Sequence, residues 1–175
     1  MQPTAVHETT GATGPVSQGN LPCGTLVIGI GNNLLGDDGA GIHAIERLRG
    51  KNLPDHVELV DGGTLSFTLL EQVENAEFLI IVDAAELDSE PGTVRLLENA
   101  EMDEFLATSR RPSVHEVNLL DVLTAARLRR RMPARYAMVG IQPLDVEWSS
   151  NPSEPVDKAV DEAVEIIVRL VGKDS

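Results

Sequence analysis

The sequence has little cysteine, little positive charge and no long apolar run, and each shortage excludes a class of protein. Cys23 is the only cysteine among 175 residues, so no intrachain disulfide can form, and a reducing compartment, the cytoplasm, is expected. The 28 acidic residues outnumber the 14 basic ones, and the net charge of -14 would repel nucleic acid and anionic lipid. No apolar run approaches the roughly 20 residues of a membrane-spanning helix. We therefore expect neither nucleic acid nor membrane as a partner.

The usual hydrolase motifs are also missing. The sequence contains no G-x-S-x-G elbow and no H-E-x-x-H helix, and Cys23 precedes the first predicted strand. Ordinary serine, cysteine and zinc hydrolase machinery is therefore absent, and a catalytic or metal site has to be built from carboxylates and histidines.

The first 24 residues differ in composition from the rest of the chain. They are rich in Thr, Gly and Pro, and they lack the basic start and apolar run of a signal peptide. Such a segment has almost nothing to bury, which predicts a flexible tail over residues 1–24. Residues 25–175 have a length that suits one compact domain with a single core.

Short apolar runs alternate with helical patterns along this domain. Strands are predicted at 25–30, 57–60, 78–82, 93–97 and 136–141. The run at 93–97 alternates more than the others and follows a Pro-Gly turn, which predicts an edge strand and is compatible with an antiparallel one. Helices are predicted at 39–49, 66–73, 114–130 and 155–171. This order predicts an α/β fold, a three-layer α/β/α sandwich around a mostly parallel sheet.

The last two helices have the clearest apolar patterns. Ser113 and Glu116 form a capping box at the start of the third helix. Its apolar stripe is predicted to contain Val114, Val117, Leu120, Leu123 and Leu128. The stripe of the fourth helix contains Val156, Val160, Val164, Ile167 and Val171.

Acidic residues follow three of the predicted strands. Asp37 and Asp38 lie in the loop after the first strand, Asp61 ends the second and Asp83 ends the third. The carboxyl ends of parallel strands share one edge, where ligands bind, and His115 at the start of the third helix could reach it. Imidazole and carboxylate together are usual ligands for borderline divalent metals. Such a site would be open and would need further ligands from water or a partner.

The first loop has two simpler interpretations. Gly29 and Gly31 could begin a dinucleotide fingerprint, but Leu34 occupies the place of the third glycine, and two acids follow where a pyrophosphate would bind. Asp37 and Asp38 could cap a helix, but one acid suffices, and a second repels it unless a cation or donor lies nearby. We therefore expect one acid of the pair to cap the helix and the other to be a candidate ligand.

The residues GIGNNLLGDDGAG at 29–41 closely resemble the G-x-G-N-x-L-x-x-D-[DE]-G-x-G opening of the hydrogenase maturation endopeptidases. Further blocks agree with the family in order, and Glu147 follows the last of them. They are DGGT at 61–64, IIVDA at 80–84, PGT at 91–93, SVH at 113–115 and VGIQP at 139–143. The resemblance runs from about residue 25 to the last helix.

The resemblance implies a five-stranded twisted sheet and assigns the nickel contacts to Asp38, Asp83 and His115, which are also the best candidates for catalysis. With Asp38 assigned as a ligand, Asp37 is interpreted as the helix cap. It further implies that the substrate is the nickel-loaded precursor of the [NiFe] hydrogenase large subunit. The enzyme would cut after a basic residue near the precursor's C-terminal cysteine motif, and those cysteines would complete the coordination of a metal that belongs to the substrate.

Several alternatives stay open at this point. Nickel could polarise the scissile carbonyl or only license docking. Asp61 could orient a ligand or water, or cap the turn that follows it. Selectivity between substrates is expected in the loops 86–90 and 144–153. A family member that docks on the precursor without cutting it, as a metal-responsive scaffold, is the main functional alternative.

Overall fold

The computed structural model describes residues 23–64, 67–108 and 114–172. The predicted tail therefore lies outside the described residues up to position 22, and so does Ser113 of the predicted capping box. The first strand begins at Cys23, two residues before its predicted start.

One five-stranded sheet forms the centre of the fold. Its strands are β1 (Cys23–Ile30), β2 (Val57–Gly63), β3 (Ala76–Ala84), β4 (Val94–Glu98) and β5 (Arg135–Ile141). The spatial order is β2-β1-β3-β5-β4, with β4 antiparallel to β5 at one edge and all other pairs parallel. The predicted mostly parallel sheet and its alternating edge strand are confirmed.

Helices cover both faces of the sheet. They are α1 (Ala40–Leu48), α2 (Leu70–Asn75), α3 (Ala100–Thr108), α4 (Val114–Leu128) and α5 (Glu154–Val171). Short 3-10 turns precede α1 and α2, at Gly36–Gly39 and Phe67–Leu69. The helix α3 was not predicted, because only Met102 and Leu106 anchor it in the core and two apolar residues make too short a periodic signal.

The two apolar layers differ in how well the sequence predicted them. On one face α1 packs with α5, and the predicted stripe of α5 is buried along its whole length. On the other face α4 packs beside α2, but its predicted stripe is wrong in part, since Val117 is 47% and Leu128 is 81% exposed. The residues that α4 buries are His115, Leu119, Val122, Leu123 and Ala126. Apolar residues occur around most of α4, so the packing against the sheet selected the buried face.

The strand order reverses beside β1. The chain passes from β1 to β2 on one side and then returns to β3 on the other. The register pairs Gly29 of β1 with Val82 of β3, so the carboxyl ends of these strands are level. A crevice at such a reversal is where open α/β sheets bind ligands.

Across the described parts of the chain, none of the helices is long and apolar enough to cross a bilayer.

Candidate functional site

The three predicted site residues lie together at this crevice. Asp38 is on the 3-10 turn after β1, Asp83 is the penultimate residue of β3, and His115 is on the first turn of α4. The imidazole lies between the carboxylates, with Nε2 3.7 Å from Asp38 Oδ2 and Nδ1 3.6 Å from Asp83 Oδ1. Three elements separated along the chain therefore place two acids and a histidine in contact range.

These side chains are recessed rather than exposed at the rim. Asp83 is completely buried, and the side chains of His115 and Asp38 are only 7% and 15% exposed. The sequence-based expectation of an exposed rim is therefore wrong, because α4 covers the end of β3 and carries its histidine inward.

Asp83 is the most unusual group in the site. Both of its carboxylate oxygens are buried without a hydrogen-bond partner. Burial raises the pKa of this carboxyl group, the nearby His115 opposes the rise, and the charge of Asp38 adds to it. A buried carboxylate without donors is costly, so the fold retains here a group whose oxygens are available to a cation.

Asp38 is held in place by the glycine loop. The backbone N–H of Asn32 donates to Asp38 Oδ2 at 3.1 Å, which orients the carboxylate toward the crevice. Gly31 has a φ of 140°, and a Cβ there would stand 1.9 Å from the carbonyl oxygen of Asp38. The loop can therefore fold back on itself only with glycine at this position.

Asp37 does not cap a helix, contrary to the sequence-based interpretation. Neither the 3-10 turn nor α1 has a side-chain cap hydrogen bond. The Asp37 carboxylate is completely buried and accepts hydrogen bonds from the backbone N–H groups of Leu144, Asp145 and Ser153, at 2.8, 3.1 and 2.6 Å. The Ser153 hydroxyl donates a fourth at 2.8 Å. Asp37 thus anchors the loop after β5.

Three further acids and histidines, Asp61, His43 and His56, make other contacts. Asp61 is exposed, and its Oδ1 accepts a hydrogen bond from the N–H of Gly63 at 2.9 Å, which favours the turn-capping interpretation. His43 on α1 pairs with Glu46. His56 lies at the opposite edge, where its carbonyl oxygen accepts from the N–H of Thr25.

Two positioning residues were not recognised in the sequence. Asn32 orients Asp38, as described above. The buried Gln142 accepts from the N–H of Leu87 at 2.7 Å and donates to Glu86 at 3.0 Å, which holds the loop after β3. Both belong to motif blocks of the sequence, but an amide contact between distant loops leaves no periodic or spacing signal.

The donor set suits a borderline divalent ion that brings its own ligands. Two carboxylates and one imidazole match such an ion in charge and in chemistry, and the available oxygens of Asp83 provide contacts for it. Over the ranges that the structure describes, no group of three His, Cys, Asp or Glu side chains is arranged to hold a metal by itself.

The buried Asp83 makes a measurable prediction about stability and pH. Its pKa in the folded protein is raised above the ordinary value of about 3.9, so the folded state binds more protons than the unfolded state as the pH passes through this window. The free energy of unfolding of the wild type, relative to Asp83→Asn, is therefore expected to fall as the pH rises from about 4. Urea titrations of both proteins across the pH range measure this difference, and a difference independent of pH would contradict the prediction.

Comparisons with known proteins find similar sequences. A sequence model of the hydrogenase maturation proteases matches residues 42–170. The hydrogenase expression/formation protein HupD of Rhizobium leguminosarum bv. viciae is 36% identical over 148 residues, which cover 83% of this chain and 73% of the relative. The hydrogenase 2 maturation protease of Escherichia coli K12 is 34% identical over 145 residues, with coverages of 82% and 87%.

Solved structures of similar proteins have the same fold. The hydrogenase maturating endopeptidase HybD from E. coli superposes with a TM-score of 0.81 at 32% identity, covering 87% of this chain and 94% of its own. The [NiFe] hydrogenase maturation protease HybD from Thermococcus kodakarensis gives a TM-score of 0.73 at 28% identity, with coverages of 85% and 99%. The similarity therefore extends over nearly the whole of these chains.

Proposed function

Because this chain belongs to the hydrogenase maturation protease family, whose members are peptidases, we propose that it removes a C-terminal peptide from the nickel-loaded precursor of a [NiFe] hydrogenase large subunit. The observation that carries the proposal is the recessed site at the strand-order reversal. There the Asp83 carboxylate, buried without a hydrogen bond, lies 3.6 Å from His115, and His115 also lies 3.7 Å from Asp38. The family model spans residues 42–170, which include the motif blocks that follow the glycine loop.

The nickel is part of the substrate in this proposal. Asp38, Asp83 and His115 contact it, and the cysteine thiolates of the precursor supply the remaining ligands. The two carboxylates favour binding of a divalent cation, because the positive charge of the ion offsets the cost of burying the charged Asp83. A precursor without nickel would bring no cation to the Asp83 carboxylate. The enzyme would therefore recognise its correct substrate by recognising the metal.

The same three side chains are the candidates for catalysis. A carboxylate or imidazole beside the scissile bond can accept a proton from an attacking water. Nickel bound there can act as a Lewis acid on the carbonyl oxygen. Cys23 is the first residue of β1, whereas the crevice lies at the carboxyl end of that strand.

The cytoplasm is the proposed location, and the large-subunit precursor is the proposed partner. A chain with one cysteine has no disulfide to lose in a reducing compartment. The excess of 28 acidic over 14 basic residues disfavours nucleic acid and anionic membranes as partners.

The decisive experiment measures the mass of the large subunit before and after incubation with this protein. Nickel-loaded precursor is expected to lose a C-terminal peptide, and metal-free precursor is expected to keep it, because the site recognises the ion. Inhibitors of serine, cysteine and aspartic proteases, and a thiol reagent at Cys23, should leave processing intact. Cleavage of the metal-free precursor would contradict nickel recognition, and binding without any change in mass would favour the scaffold alternative.

A further inference from the structure

Exposed apolar side chains are concentrated at one edge of the molecule. Among the described residues, seven large apolar side chains are exposed. Six of them follow the carboxyl ends of strands or lie on the first turn of α4, at the edge that holds the crevice: Leu34, Phe67, Val117, Leu144, Val146 and Trp148. The seventh, Leu128, ends α4 at the opposite edge. Single exposed apolar residues are normal, but their concentration around a site indicates an interaction surface.

Four of these residues form one structure, the apolar lip, defined by Leu34, Leu144, Val146 and Trp148. Two chain segments join at its base, where the N–H of Gly36 donates to the carbonyl of Ser149 at 2.7 Å and the N–H of Ser149 donates to the carbonyl of Leu34 at 3.1 Å.

The buried Asp37 carboxylate anchors the same loop at Leu144, Asp145 and Ser153. The lip is thus held in position next to Asp38, and such preorganisation lowers the entropic cost of binding.

The described loops at this edge carry charge of one sign. The described loops here, residues 31–39, 61–64, 67–69, 84–93 and 142–153, contain no Lys or Arg. Asp145 and Glu147 alternate with the apolar residues of the lip, and Glu86, Asp88 and Glu90 lie on the neighbouring loop. Two copies of this edge would repel each other, whereas a surface with basic residues around an apolar centre is complementary.

We propose that the apolar lip is the surface on which the folded body of the large-subunit precursor docks, through an apolar patch flanked by basic residues beside its nickel site. This inference rests on the proposed function. Trp148 is 82% exposed, so its large apolar side chain is free to enter a recess in a folded partner. The loop of the lip is hydrogen-bonded to Asp37, the neighbour of Asp38, so contacts on the lip can seat the nickel at Asp38, Asp83 and His115.

The test compares Trp148→Ala with Leu128→Ala, a matched truncation of an exposed apolar residue at the opposite edge. The dissociation constant of the nickel-loaded precursor, measured by surface plasmon resonance, is expected to rise about thirtyfold or more for Trp148→Ala and less than about twofold for Leu128→Ala. Trp148→Ala should raise KM in the cleavage assay and leave kcat and the melting temperature near wild type.

The acidic part of the surface is tested by association rates. Glu147→Gln is expected to slow association with the precursor several-fold at low salt, and added salt should remove most of the difference. Glu162→Gln, on the exposed side of α5, is the control and should associate at the wild-type rate.

Several outcomes would overturn the docking surface. An unchanged dissociation constant for Trp148→Ala, while the wild type still cuts the precursor, would refute the lip and spare the proposed function. A large fall in melting temperature would make Trp148 a folding residue. If the protein forms a homodimer that Trp148→Ala dissociates, the lip binds a second copy of this chain. If the isolated C-terminal peptide of the precursor loses as much affinity for Trp148→Ala as the whole precursor does, the lip binds that peptide. A wild type that neither binds nor cuts nickel-loaded precursor would overturn both proposals.

Discussion

Replacing Asp83 with Asn is expected to lower processing of the nickel-loaded precursor by about a hundredfold or more while leaving the folded protein as stable as the wild type, or more stable. Asparagine keeps the shape of the side chain and one carbonyl oxygen, but it loses the charge that favours a divalent cation. The carboxylate of Asp83 is buried and has no hydrogen-bond donor, so its removal takes no stabilising bond from the fold. We expect the free energy of unfolding to stay within about 1 kcal/mol of wild type or to rise.

Cleavage is measured by the mass of the product, and stability by urea unfolding without metal. Asp38→Asn and His115→Ala should also lose processing, and the double change Asp38→Asn with Asp83→Asn should be little worse than the more damaging single change, because the residues act as a unit. If all three single variants process the precursor normally, the cluster is structural and the functional proposal fails. If Asp83→Asn unfolds the protein, the carboxylate has a structural role that its geometry does not reveal.

The adjacent acid is expected to behave in the opposite way. Asp37→Asn should lower the free energy of unfolding by about 2–4 kcal/mol, because a fully buried carboxylate that accepts four hydrogen bonds becomes an amide. The amide nitrogen would face backbone N–H groups as a second donor, so part of the network loses its acceptor. A helix cap would contribute only about 1 kcal/mol or less.

The urea midpoint of Asp37→Asn, with the midpoint of Asp38→Asn as its control, separates these two roles. If Asp37→Asn lowers the free energy of unfolding by less than about 1 kcal/mol, Asp37 contributes no more than a helix cap would. Processing by Asp37→Asn is expected to decline with the order of the loop after β5, and hydrogen exchange at Leu144 and Asp145 should quicken, since both N–H groups lose their charged acceptor.

The sequence predicted most of the fold because its apolar patterns are strong. Continuous β-branched runs predicted the buried parallel strands, and the alternating run after Pro91 predicted the edge strand, which is antiparallel. The apolar period of α5 predicted its buried face. The pattern of α4 did not, because α4 is apolar around most of its circumference, and only contact with the sheet selects which residues it buries.

The site was predicted in part for a topological reason. Strands of one direction end at one edge, so acids that follow β1 and β3 and a histidine at the start of α4 had to meet there. The difference between Asp37 and Asp38 could not be predicted, because adjacent residues on a turn point in different directions. The hydrogen-bond donors to Asp37 Oδ2 and Oδ1 at Leu144 and Ser153 lie 107 and 116 positions away.

The amino-acid sequence by itself thus determined the layers of the fold, the family and the identity of the acids and histidine at the crevice, since these depend on local patterns and on the order of elements. Only the tertiary structure decided that Asp83 is buried without a donor, that Asp37 anchors a loop and that apolar side chains gather around the crevice. These features arise from contacts between segments far apart in the chain, and such contacts exist only after the sheet and helices have packed.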